Sequence, residues 1–108
     1  MLDSWHWWTA GDSAADIRAL QNSDVIAVDL NDAPAGIALA DQQDGRRELP
    51  LSTGIIPVKD FLSALVAIGY DGPVRAEPFN QALNSLDNDA ACDKTIDALK
   101  KAAQLVVV

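Results

Sequence analysis

Residues 57–78, PVKDFLSALVAIGYDGPVRAEP, encode a helix, a turn and a strand in that order. Pro57 suits the first position of a helix, and Gly69 suits the left-handed residue that closes one. The apolar face between them is formed by Phe61, Leu62, Leu65, Val66 and Ile68. A turn at 70–73 leads into a short strand at 74–77, which a proline ends. This stretch predicts one helix–strand unit of an α/β fold.

Upstream of this unit the chain alternates in the same way. A short apolar start leads to a helix at about 13–21, which Asp12 or Ser13 can cap. Residues 25–30, VIAVDL, are rich in β-branched side chains and predict a strand buried on both faces, as in a parallel sheet. Residues 31–56 contain many turn formers and little periodicity, which predicts a long loop that is functional or disordered.

Downstream, a final helix capped by Asp87 or Asp89 reaches about Gln104. Its predicted buried stripe contains Cys92, Ile96, Leu99 and Ala103. The last residues, Val106–Val108, end that helix or form an apolar tail. Strands that alternate with helices predict right-handed βαβ units and a parallel sheet.

Composition narrows the class of protein. The chain has 108 residues, 49% of them hydrophobic, which suits one small domain with a core. Its net charge of −8 argues against nucleic acid and anionic membranes as partners, since both attract basic surfaces. No stretch approaches ~18 uninterrupted apolar residues, so no membrane span is predicted. The first residues lack the basic region of a secretory signal, and the lone Cys92 suits a reducing compartment, so we expect a cytoplasmic protein.

Three carboxylates, Asp3, Asp29 and Glu77, each follow an apolar run. In a parallel sheet the carboxyl ends of the strands meet at one edge, which is where active sites lie. Three anions at that edge need a cation or protons, and oxygen ligands suit Mg²⁺ or Mn²⁺. The alternative is that each carboxylate caps the next helix or pairs with an arginine.

The other candidate site residues are His6, the tryptophans beside it and two arginines. Trp5 and Trp7 can stack on the apolar face of a sugar ring, or they can plug a core. Arg46 or Arg47, in the long loop of an acidic protein, can clamp a phosphate or another substrate oxygen, or it can remain a solvated charge.

Several pieces of the sequence occur in an order known from one family. They are DSWH at 3–6, VDLND at 28–32, RRELP at 46–50, VKDFLSAL at 58–65, IGYDGPV at 68–74 and AEPF at 76–79. Together they resemble the C-terminal part of the sugar phosphate isomerase/epimerase family, the xylose isomerase-like TIM barrels. The resemblance implies that residues 1–108 are one piece of such a domain, a partial (β/α)8 barrel from the end of strand six through helix eight. It also implies a divalent metal at the mouth of the barrel.

The resemblance assigns roles to individual residues. It makes Asp3 and Glu77 metal ligands, and Glu77 is also one of two acid/base carboxylates. His6 matches a histidine that contacts substrate, and Arg47 matches an arginine that binds substrate oxygens. Asp29 stands where the family has a metal-binding histidine, so it is either the third ligand or a sign that this branch has lost or repurposed its metal. A set of carboxylates favours Mg²⁺ or Mn²⁺ over zinc.

The implied activity is isomerisation or epimerisation of a sugar or sugar phosphate by metal-assisted proton transfer through an enediolate. Because the matching pieces start at strand six, we expect the strand-five glutamate and the partner base to be missing. We therefore predict a truncated member, inactive alone, that associates with the missing barrel half or with copies of itself. Two alternatives stay open: a non-catalytic module that binds a sugar or a protein, and a dehydratase that acts on a polyol ketone.

Overall fold

The computed structural model describes residues 1–106, in which short parallel strands alternate with helices. The strands are β1 (Leu2–Asp3), β2 (Val28–Asp29) and β3 (Val74–Arg75). The α-helices are α1 (Ser4–Thr9), α2 (Ala14–Arg18), α3 (Val58–Ala67), α4 (Gln81–Asn84) and α5 (Asn88–Gln104). Single 3-10 turns cover Asn22–Asp24 and Leu39–Asp41. The predicted α/β class is confirmed. No helix among these residues is long and apolar enough to cross a bilayer.

The strands form one parallel sheet in the order β1-β2-β3. In the last row of this sheet Asp3 pairs with Asp29, and Asp29 pairs with Arg75. Because paired residues on neighbouring strands share a face, three charged side chains stand side by side. Within residues 1–106 the outer edges of β1 and β3 carry no further strand.

The hydrophobic core lies between this sheet and the helices that cover it. Ile17 of α2 and Phe61 of α3 are 1% and 0% exposed, and their helices pack against each other. The Trp7 ring meets Phe61 edge-on with 5.2 Å between ring centroids, and its indole N–H donates to the Ser13 carbonyl at 3.0 Å. Trp7 therefore joins α1 to α3 and to the residue that precedes α2.

Helix boundaries follow the predicted caps. Ser13 lies directly before α2, and its backbone N–H donates to Asp16 at 2.8 Å. Gly69 follows α3 with a φ of +77°, the left-handed conformation that glycine adopts without strain. The Asp87 carboxylate accepts from the Ala90 N–H at 2.8 Å and so caps α5. The predicted helices are confirmed, although α2 is shorter than expected.

Besides Val66, which is 52% exposed although it was expected on the apolar face of α3, two burial predictions are wrong, and the first concerns the strand at 25–30. Ile26 is 79% exposed, whereas Val28 and Leu30 are 0% and 1% exposed. The chain bends at Ile26 and joins the sheet only at Val28, so the earlier part of the apolar run lies outside the sheet.

The second concerns the face that α5 turns to the core. Cys92, Ile96 and Ala103 are exposed, and Leu99 is half-buried. Ala102 is the residue of α5 that is fully buried. The small side chain of Ala102 lets α5 approach the core closely. Hydrophobicity alone does not distinguish this position from those of the larger apolar side chains. Of the predicted tail, Val106 packs half-buried on the core, and Val107 and Val108 lie outside the described residues.

The long loop before α3 is ordered around one buried carboxylate. Asp32 is 0% exposed, and a short antiparallel bridge joins it to Glu48. Its side chain accepts hydrogen bonds, at 2.8 to 3.1 Å, from the backbone N–H groups of Ala33, Thr53, Gly54 and Ile56. Because buried N–H groups need acceptors, this carboxylate fixes the path of the loop. The disordered alternative for 31–56 is therefore excluded.

Candidate metal centre

Asp3, Asp29 and Glu77 converge at the carboxyl ends of the strands. One carboxylate oxygen from each lies within 4.8 Å of the others. Asp3 and Asp29 end β1 and β2, and Glu77 lies just beyond β3. Oxygens that share one ion at 2.0–2.6 Å stand about 3–5 Å apart, so this group could hold a metal ion.

Asp3 combines three tasks. Its Oδ1 accepts from the Trp5 N–H at 2.8 Å and the His6 N–H at 3.3 Å, which caps α1. Its Oδ2 accepts from Nη1 of Arg47 at 2.9 Å. The residue is only 8% exposed. Helix capping, arginine pairing and membership of the acidic group therefore coexist at this position.

Asp29 is fully buried and is bound through one oxygen only. Its Oδ1 accepts from Nε of Arg75 at 2.5 Å. Its Oδ2 has no hydrogen-bond partner among the described residues. The hydrogen bond to Asp29 raises the pKa of Arg75 above its usual value, so the guanidinium remains charged. Since an unpartnered buried oxygen is costly, Oδ2 is the buried atom of this group with open capacity for a cation.

Glu77 is the most exposed of the three carboxylates, with 41% of its side chain accessible. Its Oε1 lies 3.5 Å from Nη1 of Arg47. Its backbone N–H donates to Oδ1 of Asn31 at 2.8 Å, and Asn31 is itself fully buried. The backbone of Glu77 is thus fixed, while its carboxylate faces the open side of the group.

Arg47 is enclosed, with 2% exposure. Its guanidinium carbon lies 5.1 Å from the Trp5 ring centroid and 5.0 Å from that of Phe79. One terminal nitrogen contacts the Asp44 carboxylate and lies 3.2 Å from Nε2 of His6. Two aromatic faces and a planar set of donors fix the direction of this cation.

The predicted site residues divide between a cavity and its surroundings. A cavity of about 450 Å³ is lined by His6, Trp7 and the three carboxylates of the acidic group. Trp5 lies under Arg47, and neither of them lines this cavity. Substrate contacts by His6, Arg47, Trp5 and Trp7 stay predictions.

The sequence analysis missed the residues that support the acidic group. They are Asn31, Asp44, Arg75 and Phe79. For Arg75 a signal exists, because it precedes Glu77 by two positions in a predicted strand, and such residues share a face. For Asp44 a signal also exists, because it precedes Arg47 by only three positions in the same loop.

Comparisons with known proteins agree with this fold. A sequence model of the xylose isomerase-like TIM barrel matches residues 1–104. A xylose isomerase domain protein from Alicyclobacillus acidocaldarius subsp. acidocaldarius is 36% identical with a TM-score of 0.82, over 97% of this chain and 37% of that one. The IolI protein, whose crystal structure has a bound zinc atom, is 22% identical with a TM-score of 0.85, over 94% of this chain and 36% of its own.

A third solved structure is a xylose isomerase-like TIM barrel/4-hydroxyphenylpyruvate dioxygenase fusion protein. It is 24% identical with a TM-score of 0.74, over 91% of this chain and 16% of that one. A search of curated proteins gave no significant match.

This chain spans just over a third of its first two structural neighbours, 37% and 36% of their lengths. Its parallel strands and covering helices therefore correspond to part of their barrel, as the resemblance implied. The match over residues 1–104 covers every described helix and strand. The chain belongs to the xylose isomerase-like TIM barrel family.

Proposed function

We propose that this chain carries the metal-binding edge of a barrel that isomerises or epimerises a sugar or sugar phosphate. The observation that carries the proposal is the convergence of three carboxylate oxygens within 4.8 Å at the carboxyl ends of parallel strands. Family membership supports it, because active sites of TIM barrels lie at this end of the strands.

The chemistry of the acidic group fits a hard divalent cation. Three carboxylates against the two arginines paired with them leave a formal charge of −1, so the group still attracts a cation. The open Oδ2 of Asp29 is a ready ligand atom. An all-oxygen set favours Mn²⁺ or Mg²⁺, and the zinc in the IolI structure makes zinc the competitor to test.

The three carboxylates share the metal, and one of them also transfers the proton in the proposed reaction. A divalent ion bound here would polarise a substrate carbonyl and its neighbouring hydroxyl. Asp3 and Asp29, 8% and 0% exposed, would hold that ion together with Glu77. Glu77, the accessible member, would take the proton from the carbon next to the carbonyl and return it. Arg47, 3.5 Å from the Glu77 carboxylate, helps to keep it in place.

The proposal includes a partner and a location. Asp3 and Asp29 are engaged by arginines, so the second acid/base group of an epimerase must come from outside this group. The chain spans 37% of its neighbour from Alicyclobacillus, which supports a source in further strands of a complete barrel. The lone Cys92 supports a reducing, cytoplasmic location.

Titration of the chain with Mn²⁺, followed by calorimetry and a thermal melt, tests the proposal. We expect a cooperative melt whose midpoint rises with Mn²⁺, and an affinity at least ~10-fold lower in Glu77→Gln, because a ligand and its charge are lost. Glu48→Gln is the matched control, since Glu48 is the other glutamate and bonds to Asn80 instead. Mg²⁺ and Zn²⁺ are titrated in parallel.

Other outcomes of these measurements would contradict the proposal or support a different function. No metal binding, or the same loss in both glutamate variants, would contradict the proposal. Sugar binding that ignores metal would support a non-catalytic module instead. An elimination product from a polyol ketone, once the barrel is complete, would identify a dehydratase.

A further inference from the structure

Asp29 lies between a like charge and an opposite charge in the sheet. Its neighbour in the row on β1 is Asp3, and its neighbour on β3 is Arg75. Like charges directly opposite each other in neighbouring strands destabilise a sheet, and opposite charges stabilise it. The row therefore contains one repulsive pair and one attractive pair around a carboxylate that is 0% exposed.

We propose that Arg75 is a positioning residue of the metal centre, which neutralises Asp29 when no metal is bound and limits it to a single ligand oxygen, Oδ2. This inference rests on the proposed function for its second half. Arg75 occupies one oxygen of the carboxylate through its Nε at 2.5 Å. The second oxygen is buried and has no partner among the described residues.

The two arginines of the site divide the work. Arg47 donates to Asp3 and lies near Glu77, but no hydrogen bond joins it to Asp29 within the described part of the chain. Arg75 donates to Asp29. Its other side-chain hydrogen bond among the described residues runs from Nη2 to the Met1 sulfur at 3.3 Å. Each buried aspartate of the acidic group thus has its own cation. The hydrogen bond that raises the pKa of Arg75 is the same contact, which agrees with a persistent ion pair.

Loss of the Arg75 charge has two consequences, one for the stability of the metal-free chain and one for metal affinity. The buried Asp29 carboxylate would be left without a cation, which destabilises the metal-free chain. A divalent ion would then be the cation available to it, so binding would recover that loss and gain from the more negative site. Arg75 therefore stabilises the metal-free fold and weakens metal binding.

A double-mutant cycle without metal tests the first half. In chelator, Arg75→Gln should lower the melting temperature by about 5 °C or more. Asp29→Asn with Arg75→Gln should lower it no further than Asp29→Asn alone, because the pair is already broken. Arg75→Lys keeps the charge, so it should retain most of the wild-type melting temperature. This variant keeps the inference testable if the glutamine variant fails to fold. Losses that simply add would overturn the inference.

Mn²⁺ titration tests the second half. Arg75→Gln should bind Mn²⁺ several-fold more tightly than the wild-type chain and should show a larger rise in melting temperature. Arg46→Gln, at an exposed arginine of the loop, is the control and should change neither. Equal or weaker affinity in Arg75→Gln would overturn the ligand role. Absence of Mn²⁺ binding in the wild-type chain would overturn both the proposed function and this half, while the metal-free cycle still decides the first half.

Discussion

Arg47 is the residue through which the loop reaches the candidate site. Its guanidinium contacts carboxylates from three parts of the chain, namely Asp3, Asp44 and Glu77. Trp5 and Phe79 cover its two faces. A cation that is 2% exposed and surrounded by acids holds together elements that repel one another electrostatically.

Replacement of this cation should therefore cost stability. We expect Arg47→Met to lower the free energy of unfolding by about 3 kcal/mol, because Asp3 is left buried without its partner. Urea denaturation of the metal-free chain measures the change. Arg46→Met is the control, because Arg46 is exposed and should change the free energy by under about 0.5 kcal/mol. Equal losses in the two variants would contradict the assignment.

Among the elements, the loop before α3 depends on hydrogen bonds to one buried carboxylate more than on apolar packing. The Asp32 carboxylate binds four backbone N–H groups, of which three come from residues 53–56. It sits one position after the buried Asn31, which holds the backbone of Glu77. The loop and the candidate site are therefore fixed by consecutive residues at the end of β2.

Weakening this acceptor should loosen the loop first. We expect Asp32→Asn to lower the free energy of unfolding by about 2 kcal/mol, since an amide group presents one acceptor oxygen in place of two. Hydrogen exchange should accelerate most at residues 53–56, and mass spectrometry of peptides measures it. Asp41→Asn, at an exposed position in the same loop, should leave both unchanged. Acceleration spread evenly over the chain would argue against a local anchor.

At the scale of the whole molecule, the fold leaves a sheet whose outer strand edges are unpaired within residues 1–106. β3 pairs with β2 on one side, and within residues 1–106 its other side carries no strand. Val74 on this edge is 40% exposed. Unpaired strand edges are templates for pairing with another chain. We expect the 11.5 kDa chain to self-associate in solution when no further barrel strands are supplied.

Light scattering tests this expectation. The wild-type mass should exceed 11.5 kDa, and Val74→Lys should return it toward that value, because a charge on an edge opposes pairing. Val66→Lys, on α3 at 52% exposure, is the matched control and should leave the mass raised. A monomeric wild-type chain would contradict the expectation. A mass that only Val66→Lys lowers would place the contact on the helix.

The candidate site was only partly predictable. Asp3, Asp29 and Glu77 each end or follow an apolar run, and parallel strands bring such positions to one edge, so their meeting could be foreseen. The ion pairs of Arg47 with Asp3 and Glu77 could not, because these carboxylates lie far from Arg47 in the chain and meet it only in the folded structure. Arg75 was within reach of prediction through its spacing from Glu77.

The sequence by itself determined the alternation of strands and helices, their caps and the acidic edge of the sheet. These features depend on local periodicity and on side chains within a few positions of one another, as for Gly69 after α3 and Asp87 before α5. Only the tertiary structure decided which face of α5 is buried, how Asp32 orders the loop and which arginine neutralises which aspartate. Those outcomes depend on distances between residues far apart in the chain, and neither hydrophobicity nor spacing encodes such distances.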